Sequence, residues 1–379
     1  MQFIDLAAQK ARIGARLEQA VSKVLNEGRY ILGPEVQEFE ARIADYVGVK
    51  HAIACANGTD ALLIPLMAEE VGTGDAVFVP SFTFAATAEV VALTGASPVF
   101  VEISHETYNL DPVRLEEAIL DIKAKGALQP RAVIPVDLFG LPADYPAIEA
   151  ICRKHGLFML EDAAQAIGAS TPAGVCGSFG QAAATSFYPA KPLGCYGDGG
   201  TMFTNDDALM EKLRSFAFHG KGESQYDNVH IGLNSRLDTI QAAILLEKLA
   251  IFDEELDSRQ RIADYYCDNL KDYVRVPHRS NALRSAWAQF AIETVDRDGL
   301  KAHLAEQDIP SVVYYVKPLH KQPAYAHFPK GPGELTVTEQ LPDSILCLPM
   351  HPYLQRNDQD RIIESIIKFV SARRVVAAE

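Results

Sequence analysis

His51-Ala52-Ile53-Ala54-Cys55-Ala56, then Asn57-Gly58-Thr59-Asp60, then Ala61-Leu62-Leu63-Ile64-Pro65-Leu66-Met67-Ala68, is the stretch whose reading decides the fold. A short apolar run closed by an Asn-Gly turn reads as a buried strand over 51–56, and residues 59–68 read as a helix. A strand that feeds straight into a helix is half of a βαβ unit. Working outward, the same alternation repeats. Strands are expected at 76–80, 98–101, 132–136 and 157–161, with helices at 85–93, 112–123 and 144–155 between them. Pro112 suits the first turn of its helix. Such alternation implies a largely parallel sheet with helices on both faces. Residues 182–188 and 200–204 add two strands close enough to pair, and 206–218 is a helix with an acidic start.

On the N-terminal side, Ile13, Leu17, Val21, Val24 and Leu25 recur at helical spacing, and a turn over 28–34 ends that segment. A second helix, 35–46, carries Val36, Phe39 and Ile43 on one face. On the C-terminal side a long helix over 239–256 is expected to link a large domain, residues 1–250, to a smaller one, residues 251–379.

Bulk properties exclude several classes. A 379-residue chain that is 48% hydrophobic and 22% charged is ordinary globular material with room for two domains. Thirty-five Lys and Arg against 50 Asp and Glu leave a net charge of −15, whose field repels nucleic acid and anionic membrane surfaces. A small anionic substrate stays possible, since a few local cations hold one. The six cysteines, Cys55, Cys152, Cys176, Cys195, Cys267 and Cys347, are scattered without a C-x-x-C pair or zinc-ligand spacing. They read as reduced thiols of a cytoplasmic protein. Met1-Gln2-Phe3-Ile4-Asp5-Leu6 shows no basic stretch before an apolar run, so no signal peptide is expected. No apolar run approaches the roughly 20 residues of a membrane span.

Doubly wound sheets place ligands at the carboxyl ends of their strands, so the strand ends carry the functional information. Ser186-Phe187-Tyr188-Pro189-Ala190-Lys191 puts a lysine in an uncharged stretch before the turn Gly197-Asp198-Gly199-Gly200. A desolvated lysine is nucleophilic and suits Schiff-base formation, although a lysine snorkelling from a loop has the same look. Leu160-Glu161-Asp162-Ala163-Ala164-Gln165 ends a strand with a carboxylate that either pairs with a pyridinium nitrogen or caps the next turn. Asn57-Gly58-Thr59-Asp60 offers a helix N-terminus to a phosphate, or is an ordinary turn. Phe84 stands four residues past Pro80, where it would lie flat on a ring or enter the core.

Together these supply phosphate cradle, ring stack, ring-nitrogen carboxylate and imine lysine, each at a strand end. In that order they resemble the nucleotide-sugar aminotransferases of the DegT/DnrJ/EryC1/StrS family, whose fold is aspartate-aminotransferase-like (fold type I). The resemblance runs almost end to end. It includes Phe3-Ile4-Asp5-Leu6, Tyr30-Ile31-Leu32-Gly33-Pro34-Glu35 and Pro80-Ser81-Phe82-Thr83-Phe84. It continues through Glu161 to Gln165, Ser186 to Lys191 and Gly232-Leu233-Asn234-Ser235-Arg236-Leu237-Asp238. Pro318-Leu319-His320-Lys321-Gln322-Pro323 and Cys347-Leu348-Pro349-Met350-His351-Pro352 complete it.

The resemblance implies a mostly parallel seven-stranded sheet flanked by helices, a smaller C-terminal α/β domain, and pyridoxal 5′-phosphate (PLP) as cofactor. Lys191 would be the Schiff-base lysine, Asp162 the partner of the ring nitrogen, and Gln165 the neighbour of the phenolic oxygen. Gly58, Thr59 and Ser186 would hold the phosphate, and Phe84 would stack on the ring. Asn234 and Arg236 would enter the neighbouring site of a homodimer, Asn234 at the phosphate and Arg236 at the sugar. Tyr314, Tyr315 and His320 would line the nucleotide-sugar pocket. L-glutamate would be the amino donor.

Members of the family that dehydrate sugars carry histidine at the lysine position, so Lys191 favours transamination. The strings Cys55 to Leu62 and Lys191 to Tyr196 are most similar to members that aminate C3 of UDP- or dTDP-linked keto-sugars, hexuronates included. Tyr314, where several of those carry histidine, and Lys317, in a usually neutral slot, leave a 4-keto substrate open. Two rivals have distinct signatures. A Rossmann oxidoreductase needs G-x-G-x-x-G, which is absent from the sequence, as is the metal motif H-E-x-x-H. A PLP-binding regulator without turnover would lack acid–base residues or add a DNA-binding segment, and neither sign is present.

Overall fold

The computed structural model describes residues 1–224 and 226–378. Helix α1 (Leu6–Glu27) starts at Asp5, whose carboxylate accepts from Ala8 N, and stops at Gly28, which turns left-handed at φ 70°. Its buried stripe is Gln9, Ile13, Leu17 and Val24, while Leu25, grouped with that face by spacing, is exposed. Helix α2 (Pro34–Val47) opens on proline at its first position and buries Val36, Phe39 and Ile43.

Five strands and four helices then alternate: β1 (His51–Cys55), α3 (Gly58–Ala68), β2 (Asp75–Pro80), α4 (Ala86–Leu93), β3 (Ser97–Val101), α5 (Pro112–Lys125), β4 (Gln129–Val133), α6 (Tyr145–His155) and β5 (Phe158–Asp162). A small hairpin, β6 (Ser170–Thr171) with β7 (Gly174–Val175), precedes β8 (Ala182–Ser186), β9 (Gly200–Thr204) and α7 (Asp207–Ala217). The large sheet has seven strands in the order β1-β9-β8-β5-β4-β2-β3. Strand β9 runs against both its neighbours, and every other pairing is parallel. The exception has a simple cause: the turn from Ser186 to Gly200 holds no crossover element, so the chain reverses and pairs antiparallel, Ala183 facing Phe203. Helices cover both faces, which is why these strands are apolar on both sides.

The expected single helix over 239–256 is two helices, α8 (Thr239–Leu249) and α9 (Phe252–Leu270). Ile251 leaves helical geometry (φ −117°, ψ 3°) and joins a small apolar cluster with Ile13, Leu17 and Ile244. Tertiary burial of one β-branched residue therefore overrides the continuous pattern. Beyond α9 lie β10 (Phe290–Glu293), α10 (Arg297–Ala305), α11 (Thr336–Ser344), β11 (Ile345–Leu348) and α12 (Arg356–Ala378). Strands β10 and β11 pair antiparallel, and a core of Tyr266, Phe290, Leu300, Leu346 and Ile362 packs against them. All six cysteines are buried and free. Among the described residues, no helix is long and apolar enough to cross a membrane.

Candidate active site

Strands β1, β2, β5 and β8 end on one side of the sheet, and Gly58, Phe84, Asp162 and Ser186 close or follow them there. Asn57, in extended geometry, caps α3 by accepting from Asp60 N at 2.8 Å. The next residue must be glycine: a Cβ on Gly58 would lie 2.6 Å from Ser186 Cβ. The start of α3 therefore abuts the end of β8. The N–H groups of Gly58 and Thr59, in the first turn, have no intrahelical acceptor and sit at the positive end of the helix dipole. Ser235 ties a distant segment to this corner, its hydroxyl donating to Asp60 Oδ2 at 2.6 Å and accepting from Ala56 N at 3.1 Å.

Asp162 closes β5 and is buried. Thr87 Oγ1 donates to its Oδ2 at 2.9 Å, and Ala164 N donates to Oδ1 at 3.2 Å. The turn-capping reading thus accounts for one oxygen and leaves the other to Thr87. Burial raises the Asp162 carboxyl above its ordinary range, while these hydrogen bonds and the charge of Lys191 act the other way. Lys191 is half-buried, its backbone N–H closing a turn onto Tyr188 O at 2.8 Å. Burial lowers its ammonium pKa, partly opposed by the attraction of Asp162.

Gln165 is buried and oriented at both ends, Oε1 accepting from Phe139 N at 2.7 Å and Nε2 donating to Tyr315 OH at 3.3 Å. Tyr315 packs edge-on against Phe82, its ring lies 6.5 Å from that of Phe84, and Tyr314 adjoins it at 5.7 Å. Phe84 precedes α4 instead of belonging to it and is 57% exposed, so its ring is available to a ligand rather than spent on the core.

The remaining sequence-derived residues are placed differently. Asn234 is exposed, and Arg236 lays its guanidinium 5.0 Å from the centroid of Phe218. His320 spans two elements, Nδ1 meeting Ser81 Oγ at 2.6 Å and Nε2 meeting Glu339 Oε1 at 3.1 Å. Burial lowers its pKa, and Glu339 opposes the shift.

Sequence reasoning passed over Thr87, Ser81 and Glu339. Thr87 lies four residues after Thr83, and that threonine pair beside a strand end was the available signal. It also passed over a buried trio behind Asp162, in which Asp137, Glu161 and Cys176 bring ligand-type atoms within 4.8 Å of one another. Glu161 accepts Gly177 N at 2.7 Å and Phe179 N at 2.8 Å. Asp137 Oδ1 accepts Ala143 N at 2.8 Å and Tyr145 OH at 2.7 Å, while its Oδ2 has no partner. Burial favours the protonated form of both carboxyls, pushing Asp137 up to about 6 and Glu161 well above its usual range.

Comparison with known proteins identifies the family. The DegT/DnrJ/EryC1/StrS aminotransferase family matches residues 11–367. The UDP-2-acetamido-2-deoxy-3-oxo-D-glucuronate aminotransferase of Pseudomonas aeruginosa is 47% identical over 93% of this chain and 96% of its own. The crystal structure of a DegT DnrJ EryC1 StrS aminotransferase from Brucella abortus superposes with a TM-score of 0.97 at 62% identity, covering 98% of this chain and 99% of that one. DesV of S. venezuelae, in complex with a ketimine intermediate, superposes at 0.91 with 37% identity, covering 97% of this chain and 98% of its own. The chain belongs to the DegT/DnrJ/EryC1/StrS aminotransferase family.

Proposed function

We propose that this protein is a PLP-dependent aminotransferase. It converts a keto-sugar carried on a nucleotide, a UDP- or dTDP-linked 3-keto-hexose or hexuronate, into the amino sugar with L-glutamate as donor. The observation that carries the reading is the corner where Gly58 admits no Cβ against Ser186, at the end of the strand next to the one that the buried Asp162 closes, with Lys191 on the turn that follows. The names of the P. aeruginosa relative and of DesV's bound intermediate support the reaction type and the substrate class.

The residues present fit the cofactor. The corner that excludes a Cβ at Gly58 leaves the amides of Gly58 and Thr59, with the Ser186 hydroxyl, to take a phosphate. Phe84 offers a ring face, Asp162 a carboxylate for a pyridinium nitrogen, Gln165 an amide for the phenolic oxygen, and Lys191 an amine. When bound, PLP supplies an electron sink for the carbanion that forms at the donor's α-carbon.

The chain's own residues do the rest. Asp162, held by Thr87, keeps the ring nitrogen protonated. Lys191, its pKa lowered by burial, carries a proton between the donor's α-carbon and the C4′ carbon. Tyr314 and Tyr315 form the sugar-facing wall. His320, its ring nitrogens held by Ser81 and Glu339, joins them in lining the nucleotide-sugar pocket. Asn234 and Arg236 serve the partner's site in a homodimer. The break at Ile251 supports a division into a large domain, residues 1–250, and a small one, residues 251–379, and six free buried thiols suit the reducing cytoplasm.

The test is spectroscopic. PLP added to the purified protein should give a visible absorption band that L-glutamate removes, and Lys191→Ala should give neither. A UDP- or dTDP-linked 3-keto-sugar should then restore the band. No band in the wild-type protein would overturn the assignment.

A further inference from the structure

Below the turn that carries Lys191 lies a lysine that the proposed chemistry does not use. Lys248 is 1% exposed. It and Gln241 are seven residues apart on α8, hence on one face of the helix, and both grip the same turn. Gln241 takes Tyr196 at the backbone, Oε1 accepting from Tyr196 N at 2.9 Å and Nε2 donating to Tyr196 O at 3.4 Å. Lys248 Nζ donates to Gly194 O at 2.5 Å and sits 3.9 Å from the centroid of the Tyr196 ring.

The turn is too tight to move in parts. A Cβ on Gly194 would lie 2.6 Å from Tyr188 O and 2.7 Å from Pro189 O, and Cys195 N donates to Phe187 O at 2.8 Å. Lys191 N donates to that same Tyr188 carbonyl group. Fixing Gly194 therefore fixes the segment from which the Lys191 side chain departs.

A buried ammonium is a costly way to fill this space, since an apolar side chain of equal length packs without losing hydration. What an apolar chain lacks is a directed donor. The charge is held by the Gly194 carbonyl, the π face of Tyr196 and the carboxylate of Glu255 on α9. Glu255 is itself fixed without Lys248: Gln9 of α1 donates to both its oxygens, at 3.0 and 2.9 Å, and Tyr353 OH donates to it as well. The titratable groups that face Lys248 are thus Glu255, Cys195 and Tyr196, and its pKa is pulled down to about 8 by burial, with Glu255 opposing.

We infer that Lys248 is a positioning residue for Lys191, its buried ammonium clamping the Gly194 carbonyl and holding the 188–196 turn in the geometry from which Lys191 works. The inference rests on the proposed role of Lys191.

Lys248→Met keeps the length and removes the donor. Amide hydrogen exchange over 187–197, measured without cofactor, should rise about tenfold or more, the loss of a hydrogen bond from a charged group. With PLP bound, the pH midpoint of the Lys191–cofactor absorption band should shift, and kcat should fall about tenfold with KM for glutamate nearly unchanged. Unchanged exchange with an unchanged midpoint overturns the inference, and so does a lower melting temperature with both unmoved. Should the variant fail to fold, the wild-type protein decides. Exchange of its 187–197 amides, corrected for intrinsic rates, should be as slow as that of β8, and exchange at the rate of an unprotected loop overturns the clamp. Absence of any band in the wild-type protein refutes the PLP reading instead, and the cofactor-free exchange still judges the clamp.

Discussion

Thr87 Oγ1 reaches Asp162 Oδ2 at 2.9 Å, joining the first turn of α4 to the end of β5. Its partner oxygen is already engaged by Ala164 N, so the carboxylate has a fixed plane and a fixed face toward the crevice. Burial alone would favour the protonated acid, which cannot pair with a pyridinium, and the hydroxyl opposes that drift.

Thr87→Val removes this donor at nearly constant volume. A hydrogen bond to a charged group is worth about 1.5–3 kcal/mol, so the rate of the glutamate half-reaction should fall about 10-fold to 100-fold in an otherwise folded protein. Asp162→Asn should fall further, because an amide cannot keep the ring nitrogen protonated. Stopped-flow absorbance measures both, and an unaltered rate in the valine variant would show that Ala164 N alone suffices.

Gly58→Ala tests the phosphate corner. The new methyl meets Ser186 Cβ at 2.6 Å, a backbone-anchored neighbour with little room to yield. The start of α3 and the end of β8 must separate, spoiling the amide cradle. PLP should bind at least about tenfold more weakly, a cost of about 1.4 kcal/mol, as read by cofactor titration. Affinity equal to wild type would place the phosphate elsewhere.

The alternation around 51–68 was readable because helices on both faces make each parallel strand a continuous apolar run with a turn at its end. Asp162, Lys191 and Gly58 were readable as candidates for a related reason: chemistry in such folds collects at strand ends. Long-range partners were not. Thr87 and Asp162 are 75 residues apart and Ser81 and His320 are 239 apart, and nothing local announces either pair. The break at Ile251 escaped for the same reason, since it answers to α1 rather than to its own neighbours. Lys248 and Gly194 are 54 residues apart, and nothing local announces that contact either.

The proposed sharing of sites between subunits makes a sharp prediction from two inactive variants. Lys191→Ala removes the amine from its own subunit's site, and Arg236→Ala removes a group proposed to act in the partner's site. In a dimer with one subunit of each, one site carries both defects and the other carries neither. Random exchange in an equal mixture makes half the dimers hybrid, each with one intact site of two, so about a quarter of wild-type activity should return. Activity that stays near zero after subunit exchange would place Arg236 in its own subunit's site.

The buried pair behind Asp162 gives a pH signature of its own. Asp137 N donates to the carbonyl of Asp162 at 3.1 Å, so the pair underlies the site directly. Asp137 has a folded pKa of about 6, above the roughly 3.9 of an unfolded aspartate. The folded chain therefore holds this proton more tightly than the unfolded chain does. The stability gained is complete below about pH 4 and is lost as pH rises through about 6. Asp137→Asn supplies a permanent donor, since its Oδ1 still accepts from Ala143 N and Tyr145 OH while its amide faces Glu161. Relative to wild type, this variant should gain on the order of 2 kcal/mol between pH about 4 and about 8, read from urea unfolding midpoints. Glu161→Gln should behave oppositely. Both oxygens of Glu161 accept backbone N–H groups, and a glutamine must turn its own NH₂ toward one of them, costing about 1–3 kcal/mol at every pH. If wild type and Asp137→Asn trace parallel curves across that range, Asp137 does not change its protonation there.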